Sequence, residues 1–203
     1  KVVFRKDNGH ISAASNSALA LATGEWVALL DHDDLLHEYA LFYIAKEILT
    51  HSDAMLIYSD EDKVDEHSAR RDPYFKPNWN LELFYSQNMF SHLGVYRKEL
   101  LDDVGGFRLG LEGAQDYDLA LRCIERISQG TIRHIPRILY HWRVHDKSTA
   151  KAPDAKPYAM TAGERALNEH FKRTGQDASA ELIGSGYRIR YGLPDEVPLV
   201  SVI

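Results

Sequence analysis

Cysteine is almost absent from this chain of 203 residues: Cys123 stands alone, so no disulfide can close within it. No Cys/His pair has the spacing of a zinc site either. One thiol suits a reducing compartment, and a cytoplasmic location is the expectation. No apolar run approaches the length of a membrane-spanning helix, and no stretch has the form of a cleavable leader. Basic residues are in deficit, with 24 Lys and Arg against 30 Asp and Glu and a net charge of −6. No basic block exists, which excludes nucleic acid as the main partner, because phosphate backbones need clustered Lys and Arg. An anionic substrate would need a metal or local cations. Repeats and low-complexity tracts are also missing. What remains is ordinary soluble-domain material, 44% hydrophobic and 27% charged, long enough for one large domain with a sizeable core.

The most informative stretch is Glu25-Trp26-Val27-Ala28-Leu29-Leu30-Asp31-His32-Asp33-Asp34. A near-continuous apolar run after Thr23-Gly24 reads as a strand, 25–31, buried on both faces. It ends in three carboxylates within four residues, at the strand end where open α/β sheets bind ligands. Asp31 and Asp33, two apart, project to one side if the strand persists. Hard cations such as Mg²⁺ or Mn²⁺ take oxygen ligands and bridge to phosphates, so the pair can grip a metal–diphosphate. The alternative is a polar loop in which Asp34 caps the following helix.

Around this stretch the pattern predicts a strand over 1–5, a turn at Asp7-Asn8-Gly9 and a helix over 11–22. An amphipathic helix follows over 38–50, with Leu41, Ile44, Ala45, Ile48 and Leu49 inward. A second buried strand, 54–58, ends at the cluster Asp60-Glu61-Asp62. This strand–helix alternation implies a mostly parallel sheet covered by helices. Residues 65–80 read as a long loop. Beyond it come a helix over 81–88, a strand over 92–96, a short helix from 100 and a helix over 116–127 with Cys123 inward. Two short strands, 131–135 and 138–142, a helix over 159–174 and a hairpin over 180–191 complete the pass. Residues 195–198 read as a linker, and Leu199-Val200-Ser201-Val202-Ile203 reads as a further strand.

Four blocks now stand in order. They are Asn8-Gly9 with Ala13-Ala14-Ser15-Asn16; Leu30-Asp31-His32-Asp33-Asp34; Gly113-Ala114-Gln115-Asp116-Tyr117-Asp118-Leu119; and His141-Trp142-Arg143 with Ser148-Thr149. Together they resemble the family 2 inverting glycosyltransferases of the GT-A fold, in particular bacterial enzymes that build O-antigen, rhamnan and related surface polysaccharides. The resemblance implies an α/β, three-layer GT-A domain. Such domains begin with further strands, and the chain therefore reads as an excerpt missing its first strands and inactive by itself. It divides into a truncated catalytic domain (1–150), a C-terminal helix and hairpin (151–194), and a linker with the first strand of a following domain (195–203).

The resemblance also implies roles. The reaction would move a sugar from a nucleotide-diphosphate sugar to a growing glycan, free or lipid-linked, with Mn²⁺ or Mg²⁺ as cofactor. Asp33 is the expected direct metal ligand, and Asp31 the partner of the ribose or a metal water. Asp116 is the expected general base. It takes the acceptor's proton in a single displacement, although Gln115 replaces the glutamate that usually precedes this base. Asp118 is the competing candidate, and Tyr117 reads as packing. His141 is either a metal ligand or a surface strand end. Arg143 is expected to clamp the diphosphate and His145 to face solvent. Asn8 and Asn16 shape the loop and helix near the diphosphate. For the acceptor, Trp79 offers a stacking face, or is simply packed. Asp60 and Asp62 offer hydroxyl contacts, or belong to a solvated acidic loop. Association of the parent with the inner membrane face, and strand-swapped self-association through 199–203, are further expectations. A non-catalytic glycan- or nucleotide-binding module is the alternative from another class. A nucleotidyltransferase would want a Gly-rich, basic phosphate loop, which is not visible.

Overall fold

The computed structural model describes residues 2–144, 157–194 and 196–201. His145, Ser148 and Thr149, the 150/151 boundary and the last two residues of the 199–203 strand lie outside them. In chain order the elements are α1 (His10–Leu19), β1 (Trp26–Ala28), β2 (Leu35–Leu36), α2 (Ala40–Thr50), β3 (Leu56–Val64) and β4 (Arg70–Tyr74). They continue with α3 (Leu81–Ser86), β5 (Gly94–Arg97), α4 (Lys98–Asp103), α5 (Gln115–Ile124), β6 (Ile132–Arg143), α6 (Pro157–Thr174), β7 (Ala178–Ile183) and β8 (Gly186–Tyr191).

β3 is the axis of a sheet ordered β1-β5-β3-β6-β2, with β4 also paired to β3. β3 and β6 form a parallel ladder, while β5 is antiparallel to both β1 and β3. β1, β3 and β6 therefore run one way and β5 the other; β2 and β4 add short antiparallel pairs at the margin. Alternate residues of the sheet feed two apolar clusters. Leu56, Tyr58 and Tyr96 face one with α3 to α6, while Ile57 and Val95 face the other with Ala40 and Ile44 of α2. The result is the expected three-layer α/β architecture. α6 and the β7–β8 hairpin share the first cluster through Ala166, Leu167, Phe171 and Ala180, so the C-terminal extension packs onto the same core as the sheet.

Several local expectations need correction. Residues 2–5 form no strand and are exposed. The 25–31 run is strand only over Trp26–Ala28. Trp26 and Val27 lean on opposite clusters, as a two-faced strand should, but β1 lies at the sheet edge and stays half-buried. In α2 only Ile44 and Ile48 of the expected stripe face inward, with Ala40 one turn before them. Leu41 and Leu49 are 69% and 85% exposed. The 65–80 segment is not all loop, since it contains β4. Finally, 131–135 and 138–142 are one strand. Its register against β3 slips by two residues between Ser59↔Ile135 and Asp60↔Ile138. The skipped pair includes Pro136, which has no N–H to give a ladder and so belongs at a bulge.

Candidate active site

The carboxyl ends of β1 and β6 meet at the loop 29–34. Asp31 and His32 are exposed there, Asp33 is half-buried and Asp34 is buried. Asp34 is tied down twice. One oxygen accepts from the Arg143 backbone N–H at 2.7 Å, and the other accepts from the Tyr140 hydroxyl. The Arg143 side chain closes the clasp by donating from Nε to the Asp33 carbonyl at 2.7 Å. The Tyr140 oxygen also accepts from the Asp31 N–H at 3.2 Å. Burial pushes the Asp34 pKa up. The bonds from Tyr140 and Arg143 and the nearby His92 pull it back, and the charge of Asp31 adds to the rise.

His92 completes the arrangement. Its ring lies on that of Tyr140, with centroids 4.5 Å apart and planes 13° from parallel, and meets Trp142 edge-on. One ligand atom each of Asp31, Asp34 and His92 lies within 4.8 Å of the others. Ligand atoms around a divalent cation sit about 3–4 Å apart at metal–ligand distances near 2.1 Å. A small closure would bring these three onto one ion. Two carboxylates and an imidazole are a donor set that a divalent cation such as Mn²⁺ accepts.

Asp116 sits in the first turn of α5, where helix N–H groups favour an anion. Asn88 donates to it from Nδ2 at 2.7 Å. Burial raises its pKa, while His92, two backbone N–H groups and Asn88 lower it; the balance stays above the ordinary aspartate range. His92 therefore acts electrostatically on both Asp34 and Asp116. Asp118, two residues on, is fully buried between Arg122 Nε at 2.9 Å and the Arg108 guanidinium. Its carboxylate is already neutralised and has no room for a substrate. Tyr117 is core, its hydroxyl donating to the Phe84 carbonyl. Cys123 is also core, and burial pushes its thiol up to about 12, so it is no nucleophile.

Residues 1–105, more than half of the chain, match the family described as Glycosyl transferase family 2. The chain belongs to glycosyltransferase family 2. Over its whole length it is 50% identical to the uncharacterized protein y4gI of Sinorhizobium fredii and 37% identical to the O-antigen biosynthesis protein RfbC of Myxococcus xanthus. It spans only 23% and 16% of those relatives' lengths. Among solved structures, the mannosyltransferase PcManGT of Pyrobaculum calidifontis, in complex with GDP-Man and Mn²⁺, superposes with a TM-score of 0.51 at 18% identity. That match covers 86% of this chain and 56% of the other. It is a likeness of fold, and it agrees with the three-layer α/β architecture above.

In this family 2 domain the residues singled out from sequence are gathered unevenly. Asp31, Arg143 and Asp116 belong to the arrangement around His92. Asp33 lies beside it, with its carboxylate 3.6 Å from the exposed His32 ring. His141 turns away to Asp62, Nδ1 to Oδ1 at 2.6 Å, and is buried. Asp60 and Asp62 are not in a solvated loop: β3 runs straight through them and both are buried. Asp60 accepts from the Lys76 N–H at 2.9 Å and pairs with His134 at 2.8 Å, and Asp62 also accepts from Arg70 Nε. Trp79 packs on Phe84 and Phe90 and donates to Gln129 near the start of β6, whereas the acidic loop sits at its end. Asn8 accepts from the His10 N–H and so opens α1. Asn16 ties α1 to the glycine turn after α4, bonding both backbone groups of Phe107 at 2.8 Å.

Sequence reasoning missed Asp34, His92, Tyr140 and Asn88. Asp34 does not cap α2, which begins at Ala40 after Tyr39. The signals were faint. His92 is a lone polar ring at the mouth of an apolar strand, and Tyr140 is one aromatic inside the run Ile138-Leu139-Tyr140.

Proposed function

We propose that this domain transfers a sugar from a nucleoside-diphosphate sugar to a hydroxyl of a growing glycan, with inversion. Asp31, Asp34 and His92 would hold Mn²⁺ or Mg²⁺, with Asp33 beside them. When bound, the cation would neutralise charge on the departing diphosphate as a Lewis acid. Arg143 holds the acidic loop in shape and would clamp the same diphosphate, and Asn8 would shape the loop beside it. Asp116, aligned by Asn88, accepts the acceptor's proton as attack proceeds; one base and no covalent intermediate give inversion. His141, turned to Asp62, supports the end of β6 beside Arg143 and is not one of the proposed ligands. Trp79, packed at the start of β6, and Asp60, buried and bonded to Lys76 and His134, are not part of this site. The likeness to an O-antigen biosynthesis protein supports a surface polysaccharide as the acceptor class.

The observation that carries this reading is the meeting of Asp31, Asp34 and His92, a set of side chains that could hold a cation, near Asp116, whose pKa burial raises. Its test is nucleoside-diphosphate binding with and without Mn²⁺. Binding is expected to need the metal and to fall strongly in Asp34→Ala. Asp116→Asn, measured in full-length protein, is expected to keep binding while lowering turnover about 10²–10⁴-fold. Equal binding in chelator and in metal would remove the cation. Full turnover in Asp116→Asn would remove the base.

A further inference from the structure

Lys76 and Glu61 form an ion pair at 3.0 Å whose side chains are 0% and 8% exposed. Such a pair is a poor source of stability, because removing two charges from water costs several kcal/mol per ion. Its other hydrogen bonds converge on one short segment. Lys76 Nζ donates to the Phe90 carbonyl at 2.7 Å and also to the His92 carbonyl. Glu61 Oε2 accepts from the His92 N–H at 2.9 Å. Both backbone groups of His92 are thus held by one side-chain pair.

The segment needs such a hold. Residues 90–92, buried at Phe90 and half-buried at Ser91 and His92, precede β5, which begins at Gly94, so the ladder does not satisfy their backbone groups. Ser91 has a φ of 37°, a left-handed conformation that a non-glycine residue keeps only where its surroundings enforce it. The pair is itself anchored at both ends. Glu61 lies in the middle of β3, and the Lys76 N–H donates to Asp60 of the same strand.

We propose that the Lys76–Glu61 pair is a positioning device for His92: it fixes the backbone of residues 90–92 so that the imidazole is presented to Asp31 and Asp34 against the face of Tyr140. Lys76 and Glu61 touch neither substrate nor cation; they act through His92. The consequence for cation binding rests on the reading of His92 as a ligand given under Proposed function, whereas the placement of the ring does not.

The test separates the two. Replacing a buried ion pair by apolar residues of similar volume is often neutral for stability, so the double variant Glu61→Leu/Lys76→Met is expected to fold. The nuclear Overhauser contact between the His92 and Tyr140 rings, read in metal-free protein, is expected to be lost in it. Its Mn²⁺ dissociation constant, read by electron paramagnetic resonance, is expected to rise about 10–100-fold, the usual effect of removing an outer partner of a ligand. Glu61→Gln keeps an oxygen that accepts from the His92 N–H, and is expected to retain the ring contact and near-normal Mn²⁺ affinity. A folded double variant with the ring contact and affinity of the unaltered protein would overturn the proposal. If the double variant does not fold, Glu61→Gln against Glu61→Met decides: equal ring contacts in the two overturn it, and loss in Met alone supports it. If the unaltered protein binds no Mn²⁺ but the ring contact still depends on the pair, the metal reading fails and the positioning role stands.

Discussion

Asp116 shows how a single residue is tuned. Burial works against its charge, while His92, the helix backbone and Asn88 work for it, and burial wins. As the proposed general base, Asp116 would act in its ionised form, so kcat/KM is expected to fall as pH drops through the raised pKa. The acid limb should lie above the ordinary aspartate value of about 3.9. Asn88→Ala removes one of the bonds that favour the anion and is expected to move the limb to still higher pH. A pH–rate profile checks this, and an unmoved limb would detach Asn88 from the base. Asp116 stood out in sequence as a candidate through its block of neighbours, and the structure puts it in the first turn of α5. Asp34 was not, because a third carboxylate after Asp31 and Asp33 looks the same whether it caps a helix or faces a cation. Only Tyr140 and Arg143, more than a hundred positions away, make the difference, and no local pattern encodes them. The pairing of His141 with Asp62 is hidden for the same reason, since it depends on the register of β3 against β6.

At the scale of elements, periodicity located most helices but misjudged what each end packs on. α6 was expected from its amphipathic pattern, yet its attachment to α5 is partly electrostatic and invisible to that pattern. Glu125, just past α5, pairs with His170 Nδ1 at 2.8 Å and Arg173 Nη2 at 2.7 Å, both on α6. Burial raises the Glu125 pKa, but the hydrogen bonds from His170 and Arg173 outweigh it and the net direction is down. A carboxylate held below its unfolded value contributes stability that is present above the unfolded pKa and lost as pH falls through the folded one. Glu125→Gln is therefore expected to cost about 1.5–3 kcal/mol at neutral pH, the range for hydrogen bonds to charged groups. The difference from the unaltered protein should close as pH falls below the ordinary glutamate range, near 4.3. Urea unfolding at several pH values reads this directly, and a cost independent of pH would mean that packing carries the contact. The β6 bulge makes the complementary point. Pro136 was visible in sequence, but whether it ended a strand or kinked one depended on β3 lying alongside.

For the whole molecule, the three layers and the direction of β3 and β6 follow from alternation of apolar strands and amphipathic helices. The sheet's edges do not follow from it. β1 carries an apolar sequence suited to the middle of a sheet, yet among the described residues only β5 pairs with it. Leu29 N–H donates to the Gly94 carbonyl and Lys98 N–H to the Glu25 carbonyl, which fixes the phase of this ladder. Backbone groups of 25, 27 and 29 face β5, so the N–H and C=O groups of Trp26 and Ala28 point away from it. An unblunted edge of this kind recruits another strand. The segment 197–201 has the composition to supply one, with Leu199 98% exposed and Val200 75% exposed. Hydrogen exchange at low protein concentration is expected to be fast at the Trp26 and Ala28 amides and slow at Val27. If 197–201 of a second copy adds to the edge, protection at Trp26 and Ala28 should grow with concentration and vanish in Val200→Lys, while Val27 stays unchanged. Protection of Trp26 and Ala28 that ignores both concentration and Val200 would show that the edge is closed within a single chain.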